Sequence, residues 1–360
     1  MADVDPFASA TELLTALRAG QVTSSALTDL YIRRIERHDG RLNAVVVRQF
    51  ERARQRARAA DEAAARGDRA PLLGLPITLK ESINVAGLET TCGVPEWKGY
   101  VSPHDAPAAA RLRAAGTVLL GKSNVPPALA DWQSANPIYG RTGNPWDTGR
   151  TPGGSSGGGA AALAAGLTAL EVGSDIGGSI RVPAAFCGVY GHRPSETLLP
   201  RSGQFPVPPL PNAAVVMGVQ GPLARSAEDL ELALSVLAGP DMGEDVAWRV
   251  ELPPARCERL ADFRVAVLPP IPWLGVVGEV NYQPFDAGGK VVDRPELRPL
   301  SRRMLSVTAE RLQALSRADA KYVIGVAGGR QKAGAIRGAL AGRFLNVLIT
   351  DEDTALALVG

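Results

Sequence analysis

Two glycine-rich serine runs and one lysine hold the residue types in this sequence that could do chemistry. The first run is Thr151-Pro152-Gly153-Gly154-Ser155-Ser156-Gly157-Gly158-Gly159. The second is Gly173-Ser174-Asp175-Ile176-Gly177-Gly178-Ser179-Ile180-Arg181-Val182-Pro183. Runs of this kind let backbone approach another group closely and free N–H groups to face a ligand. Gly154 to Gly158 also satisfies G-x-S-x-G, a nucleophile elbow that needs an acid and then a histidine downstream. Of the 3 histidines only His192 follows in the candidate core, too near for that order. Read alone, the second run is a glycine turn with a capping serine. Lys80, at the end of the apolar run Leu75 to Leu79, opens a third reading: serine chemistry with a base other than histidine. A lysine has an ordinary pKa of about 10.4, so serving as a base near neutrality requires a fall of roughly 3 units, about 4 kcal/mol. Burial among Leu75, Ile77 and Leu79 can supply a shift of that size. The competing reading makes Lys80 a surface lysine paired with Glu81.

These residues need elements to position them. Leu75 to Leu79 reads as a buried strand, Ala106 to Ala115 as a helix stopped by Gly116, and Thr117 to Leu120 as the next strand. Strand, helix, strand in this order points to an α/β sheet. A long Gly/Pro/Ser/Thr/Asn loop from Tyr139 to Gly159 is expected to be functional or disordered. A helix over Ala160 to Ala165 and a strand over Thr168 to Gly173 follow, then the second glycine turn. Upstream, Thr23 to His38 places Leu27, Leu30, Tyr31 and Ile35 at helical spacing, with Ser24 or Ser25 as cap. Glu51 to Arg66 reads as a mostly solvent-facing helix. Downstream, Ser226 caps an amphipathic helix over Ala227 to Leu237, closed by Gly239. Phe263 to Leu268 reads as a strand ended by Pro269 and Pro270.

The character changes after about Trp273, which divides the chain into 1–273 and 274–360. The second part offers a turn over Asp286 to Lys290, a helix over Arg302 to Ser316 and a strand over Tyr322 to Val326. Gly328 and Gly329 then lead into a helix over Gln331 to Leu340, a strand over Asn346 to Thr350 and a helix from Asp351. This is a small βαβ-like tail.

With 360 residues the chain can bury a sizeable core. Its 39 Lys and Arg nearly balance 37 Asp and Glu, which leaves no electrostatic footprint for nucleic acid or an anionic membrane. Cys92, Cys187 and Cys257 are odd in number and show no close pairing, which argues against a disulfide framework or a zinc site and for reducing cytosol. Met1 to Ala10 lacks the basic patch and apolar stretch of a signal peptide. No window approaches the ~18 apolar residues of a membrane span. A soluble, cytoplasmic protein is the expectation. Cys187 reads as a small buried hydrophobe, His104 as a surface or capping residue and His192 as packing beside the core. Lys122, in Gly-Lys-Ser, resembles half a phosphate loop whose first glycine is absent.

Residues from about Ala8 to Trp273 resemble the amidase signature family. The matching pieces are Gly74-Leu75-Pro76-Ile77-Thr78-Leu79-Lys80, Gly121-Lys122-Ser123-Asn124, Gly153 to Gly158 and Gly173 to Pro194. Glu81 and Arg193 depart from the family's commoner aspartate and lysine. The resemblance implies a mixed sheet flanked by helices, with Lys80 as base, Ser155 as proton relay and Ser179 as acylated nucleophile. It further implies an oxyanion hole of backbone N–H groups at Ile176, Gly177, Gly178 and Ser179, with Ser156, Asp175 and Arg181 as supports. The implied reaction hydrolyses a small carboxylic amide to the acid and ammonia or an amine, without metal or organic cofactor. Amide transfer in tRNA charging is a subclass that would require partner subunits. A homodimer is a candidate assembly.

The family pattern runs through Arg264-Val265-Ala266-Val267-Leu268 and then gives way, so the core is expected to be truncated. The tail, with Phe285-Asp286-Ala287-Gly288-Gly289 and Val323 to Gly329, resembles the end of the sugar-phosphate-binding domain of SorC-type transcriptional regulators. The rival reading is therefore an inactive fusion, acting at most as a sugar-phosphate-binding or interaction module.

Overall fold

The computed structural model describes residues 4–206, 217–241 and 243–254, together with 262, 278–280, 283–292, 309–318, 323–326, 332–350 and 352–359. The chain forms two compact units, residues 1–254 and 255–360. The boundary expected at 273/274 and the strand expected over Phe263 to Leu268 lie outside the described residues.

In chain order the first unit contains α1 (Ala10–Arg18), α2 (Ser24–Leu42), β1 (Val45–Arg48), α3 (Phe50–Ala65), β2 (Pro76–Lys80), α4 (Pro107–Ala114) and β3 (Val118–Ser123). A short ribbon of β4 (Ala135–Asn136) and β5 (Gly140–Arg141) follows, then α5 (Gly157–Ala164) and β6 (Leu170–Asp175). The unit continues with α6 (Arg181–Cys187), β7 (Tyr190–Gly191), β8 (Val219–Ala224) and α7 (Ala227–Leu237). The main sheet has the order β1-β3-β2-β6-β8-β7. Its centre, β3-β2-β6, is parallel, while β1, β8 and β7 pair antiparallel. It is the expected mixed sheet flanked by helices.

Parallel strands covered on both faces read as continuous apolar runs, and all five residues of β2 are buried. Because β2, β3 and β6 run in the same direction, Lys80, Ser123 and Asp175 all reach one edge of the sheet. Open α/β sheets bind ligands beyond that carboxyl edge.

Helix ends follow local chemistry with one correction. Ser226 accepts from the Asp229 N–H at 3.1 Å, and α7 spans the predicted residues. Asp229 in turn accepts from the N–H groups of Ala10 and Thr11 at 2.9 and 2.8 Å, which ties α1 to α7. The cap of α2 is Thr23, whose hydroxyl accepts from the Ala26 N–H at 3.1 Å. Ser24 and Ser25 are the expected caps, but a cap works through its side-chain oxygen, and their hydroxyls donate instead to the Gly74 carbonyl at 2.9 Å and to Asp61 of α3 at 2.6 Å.

Several boundaries also differ from expectation, among them those of α5 and β6. α5 begins at Gly157, three residues before the expected Ala160, so the first run turns directly into a helix. β6 extends to Asp175 and starts at Leu170 rather than Thr168, because β8 pairs with it as far as Asp175↔Val219. The extension of β6 comes from tertiary pairing, which a local pattern does not contain.

The second unit contains an antiparallel hairpin of β9 (Gly278–Val280) and β10 (Gln283–Phe285). The Asp286 carboxylate then accepts from the N–H groups of Gly288 and Lys290, closing the predicted turn. Next come α8 (Ala309–Arg317), β11 (Ile324–Val326), α9 (Ala333–Ala341), β12 (Val347–Ile349) and α10 (Glu352–Val359). β11 and β12 are parallel and joined through α9, which is the expected βαβ tail. Phe285 and Phe344 stack at 5.1 Å between ring centroids beside Ala339. Gly328 and Gly329 lie outside the described residues.

Candidate active site

Lys80 ends β2 with no exposed surface, so the surface-lysine reading fails. Its expected partner Glu81 points elsewhere. That carboxylate accepts from the N–H groups of Thr91 and Cys92 at 2.6 and 2.8 Å and from the Tyr139 hydroxyl at 3.1 Å. Lys80 Nζ instead lies 2.6 Å from Ser155 Oγ and 2.9 Å from Ser174 Oγ, with the Ser174 carbonyl at 3.3 Å. Burial brings the Lys80 ammonium down from 10.5 to about 7, against the opposing pull of Cys92, Asp175 and Glu171. An amine in that range is shared between its two forms near neutral pH.

Ser155 follows a cis peptide bond after Gly154 and is 1 % exposed. The loop is held by close contact. A Cβ at Gly154 would lie 2.7 Å from the Asp131 carbonyl oxygen, and one at Gly153 would lie 2.8 Å from Pro183 Cα. The Ser156 N–H donates to the Ser179 carbonyl at 3.0 Å, which stitches the first run to the second. The Ser156 hydroxyl bridges to the Ser174 backbone, donating to its carbonyl at 3.2 Å and accepting from its N–H at 3.3 Å. Those partners are backbone groups, and no histidine bonds it among the described residues, so the nucleophile-elbow reading fails.

Ser179 sits where β6 passes into α6 and is 5 % exposed. Asp175 organises this turn. Its Oδ1 accepts from the Gly178 N–H at 2.8 Å, and its Oδ2 accepts from the Ile180 and Arg181 N–H groups at 3.0 and 3.3 Å. Arg181 adds two guanidinium bonds of 3.0 Å each. Burial pushes the carboxyl up, but these donors outweigh it and hold Asp175 at about 2. The structure changes one sequence expectation here. The Gly178 N–H, expected as an oxyanion donor, is already engaged by Asp175. Among the described residues, the N–H groups of Ile176, Gly177 and Ser179 meet no acceptor.

An open depression beside Ser179 is lined by Leu129, Ala130, Asp131, Trp132, Ile176 and Gly177. The lysine, both serines and this depression therefore lie in one place, at the carboxyl edge of the central strands. No described group of His, Cys, Asp and Glu has the arrangement of a metal site. Lys122 is also buried and donates to the Glu89 carbonyl at 2.5 Å and to Thr90 Oγ1 at 2.7 Å, which ties down a loop. Cys187 is buried and His104 exposed, as expected. His192 is half-buried, with its N–H donating to the Pro222 carbonyl at 3.0 Å. Among the described residues no helix is long and apolar enough to cross a membrane.

Sequence reasoning missed three polar residues at this site. The Gln204 amide donates to Ser174 Oγ at 2.7 Å and to Ser82 Oγ at 3.1 Å, from a segment far along the chain. By sequence, Ser174 is only part of a glycine-rich turn. Glu171 is a carboxylate set between Leu170 and Val172 in the buried part of a strand, and that oddity is its available signal.

Residues 26–284 match the family model described as Amidase, and residues 267–360 match the Sugar-bind model. AmiB2 of Mycobacterium tuberculosis, named as an amidase, is 42% identical over 250 residues, covering 69% of this chain and 52% of that protein. A glutamyl-tRNA(Gln) amidotransferase subunit of Chromohalobacter salexigens is 42% identical over 237 residues, covering 66% of this chain and 48% of that protein. The chain thus spans about half the length of the curated relatives it matches. Among solved structures, a bacterial aryl acylamidase of the amidase signature family superposes with a TM-score of 0.63 at 30% identity, covering 68% of this chain and 50% of that one. A structure from a vestigial protein complex, titled as revealing the origins of an s-triazine catabolic enzyme, covers 97% of this chain and 65% of its own. Its TM-score is 0.61 at 29% identity.

Proposed function

Since this chain belongs to the Amidase family, we propose that it hydrolyses a small linear carboxylic amide through an acyl-enzyme on Ser179. The observation that supports this most is the contact of 2.6 Å between Lys80 Nζ and Ser155 Oγ, made by a fully buried amine held at about 7. In its neutral form Lys80 takes the Ser155 proton, and Ser155 takes the Ser179 proton as that oxygen attacks the amide carbon. The carbonyl electrons move onto oxygen, where the N–H groups of Ile176, Gly177 and Ser179 stabilise the charge. One such donor is worth about 3–4 kcal/mol in related chemistry. Collapse of the tetrahedral adduct breaks the C–N bond, and the proton returns through Ser155 to the leaving nitrogen. Water then attacks the Ser179 ester and gives its proton to the same relay, which returns it to the Ser179 oxygen as the C–O bond breaks and the acid leaves. Asp175, Arg181 and Ser156 hold the turn and touch no reacting atom.

A cytoplasmic setting belongs to the same proposal, supported by the unpaired, buried thiols of Cys92 and Cys187. The Sugar-bind match favours a second reading for residues 267–360, binding of a sugar phosphate. Stabilisation of the folded chain by one of a panel of sugar phosphates tests it, and size-exclusion light scattering tests the expected homodimer.

The deciding experiment is intact mass after exposure to a fluorophosphonate, for wild type beside Ser179→Ala. A single adduct on wild type and none on the variant is the expected result. A folded wild type that forms no adduct would refute a working relay.

A further inference from the structure

Glu171 has no part in the relay, yet it shares a buried face with it. Thr78 and Lys80 are two residues apart on β2, so their side chains leave the same side of the sheet. Glu171 of β6 is in register with Thr78, and Ser123 of β3 is in register with Lys80. All four side chains therefore stand on one face, and none has exposed surface. The Ser123 hydroxyl donates to Glu171 Oε1 at 2.6 Å, and the Thr78 hydroxyl donates to Oε2. α5 closes over the carboxyl at Gly159, where a Cβ would lie 2.4 Å from Glu171 Cγ. No cation bonds Glu171 directly among the described residues; the charge that acts on it is Lys80. A buried carboxylate without a bonded cation is costly, and a glutamine would satisfy the same two hydroxyls.

We propose, on the lysine-relay reading above, that Glu171 is a positioning residue for Lys80: its carboxyl sets the charge the lysine carries. The groups that face Lys80 are the hydroxyls of Ser155 and Ser174, Asp175 at the end of β6, Cys92 from the loop after β2, and Glu171. Asp175 stays ionised at neutral pH because its donors hold it at about 2. Cys92 stays protonated because burial pushes its thiol up. Glu171 is pushed up by burial to about 7, the range to which Lys80 has come down. Facing Glu171 are Lys80, Thr78 and Ser123, and α5 adds only the backbone at Gly159. As pH rises, Glu171 ionises and favours the charged lysine. The free amine then appears at higher pH than it would beside a neutral group.

The test is the rate of fluorophosphonate adduct formation against pH, by intact mass, for wild type and Glu171→Gln. The half-maximal rate is expected to move to lower pH by about one unit in the variant, the direction set by removing a neighbouring negative charge. Superimposable profiles, with adduct forming on both proteins, would overturn the inference and leave the relay standing. A folded wild type without adduct overturns the relay reading itself. If Glu171→Gln does not fold, Ser123→Ala serves instead. It removes one donor to the carboxylate, keeps Glu171 protonated to higher pH and moves the half-point down by a smaller amount. Coincidence of that profile with wild type also overturns the inference.

Discussion

Replacing Lys80 by methionine separates what the lysine does for chemistry from what it costs the fold. Folding brings Lys80 from 10.5 to about 7, so between those values the unfolded chain binds a proton that the folded protein does not. Stability therefore rises with pH across this window and is lowest, as far as Lys80 is concerned, at and below its lower end. At about 1.4 kcal/mol per pH unit the full shift amounts to about 5 kcal/mol, of which about 3–4 falls between pH ~7 and pH ~10. Methionine has similar volume and no proton to bind. It loses the contacts of 2.6 and 2.9 Å to Ser155 and Ser174, but that loss is common to both pH values. The difference between Lys80→Met and wild type, read at the two pH values, thus cancels the hydrogen bonds and leaves the ionisation of Lys80 together with the response of Glu171 to it. Urea unfolding followed by circular dichroism at both pH values measures it. Relative to wild type, the variant should be more stable at pH ~7 than at pH ~10 by about 3–4 kcal/mol, and it should form no fluorophosphonate adduct. Stability curves that run parallel from pH ~7 to pH ~10 would refute the claim that burial holds this amine neutral.

Two further outcomes follow from packing and charge. Gly158→Ala places a Cβ 2.3 Å from the Asn124 backbone nitrogen and 2.9 Å from the Ala44 carbonyl oxygen. Backbone on both sides cannot give way, so a loss of about 2 kcal/mol or more is expected by urea unfolding, despite alanine's better helix propensity. Asp175→Asn removes a carboxylate that accepts from three N–H groups and two guanidinium bonds, and should cost about 2 kcal/mol or more at neutral pH. Because folding holds Asp175 below its ordinary value, at about 2, its contribution is present above about 4 and is lost as pH falls through about 2. Acid-unfolding curves of wild type and variant should therefore converge at low pH.

Much of the site was legible because its parts are local. Lys80 ends an apolar run, and the two glycine-rich runs announce backbone that must pass close to something else. Ser226 and the eleven residues after it specify α7 with short-range bonds alone. The misread parts depend on partners distant in the chain. Ser24 and Ser25 look like caps until the Gly74 carbonyl and Asp61 of α3 take their hydroxyls. Gly178 looks like a free donor until Asp175 engages it. Glu171, which carries no reading from the sequence, gains one when sheet register sets it on the face of Thr78 and Lys80.

The order of residues along the chain carries the reactive residue types and the local elements that hold them: a lysine at a strand end, serines in glycine turns, alternation of strands and helices. These depend on propensity, spacing and the absence of side chains at glycine, all of which are properties of neighbours along the chain. Contacts between segments far apart in the chain make Lys80 meet Ser155 rather than Glu81, and the folded turn lets Asp175 draw the Gly178 N–H away from the nucleophile. The tertiary structure alone puts a carboxyl and an amine of matched acidity on one buried face. Those outcomes turn on register between strands and on the removal of water, which exist only once the sheet has formed.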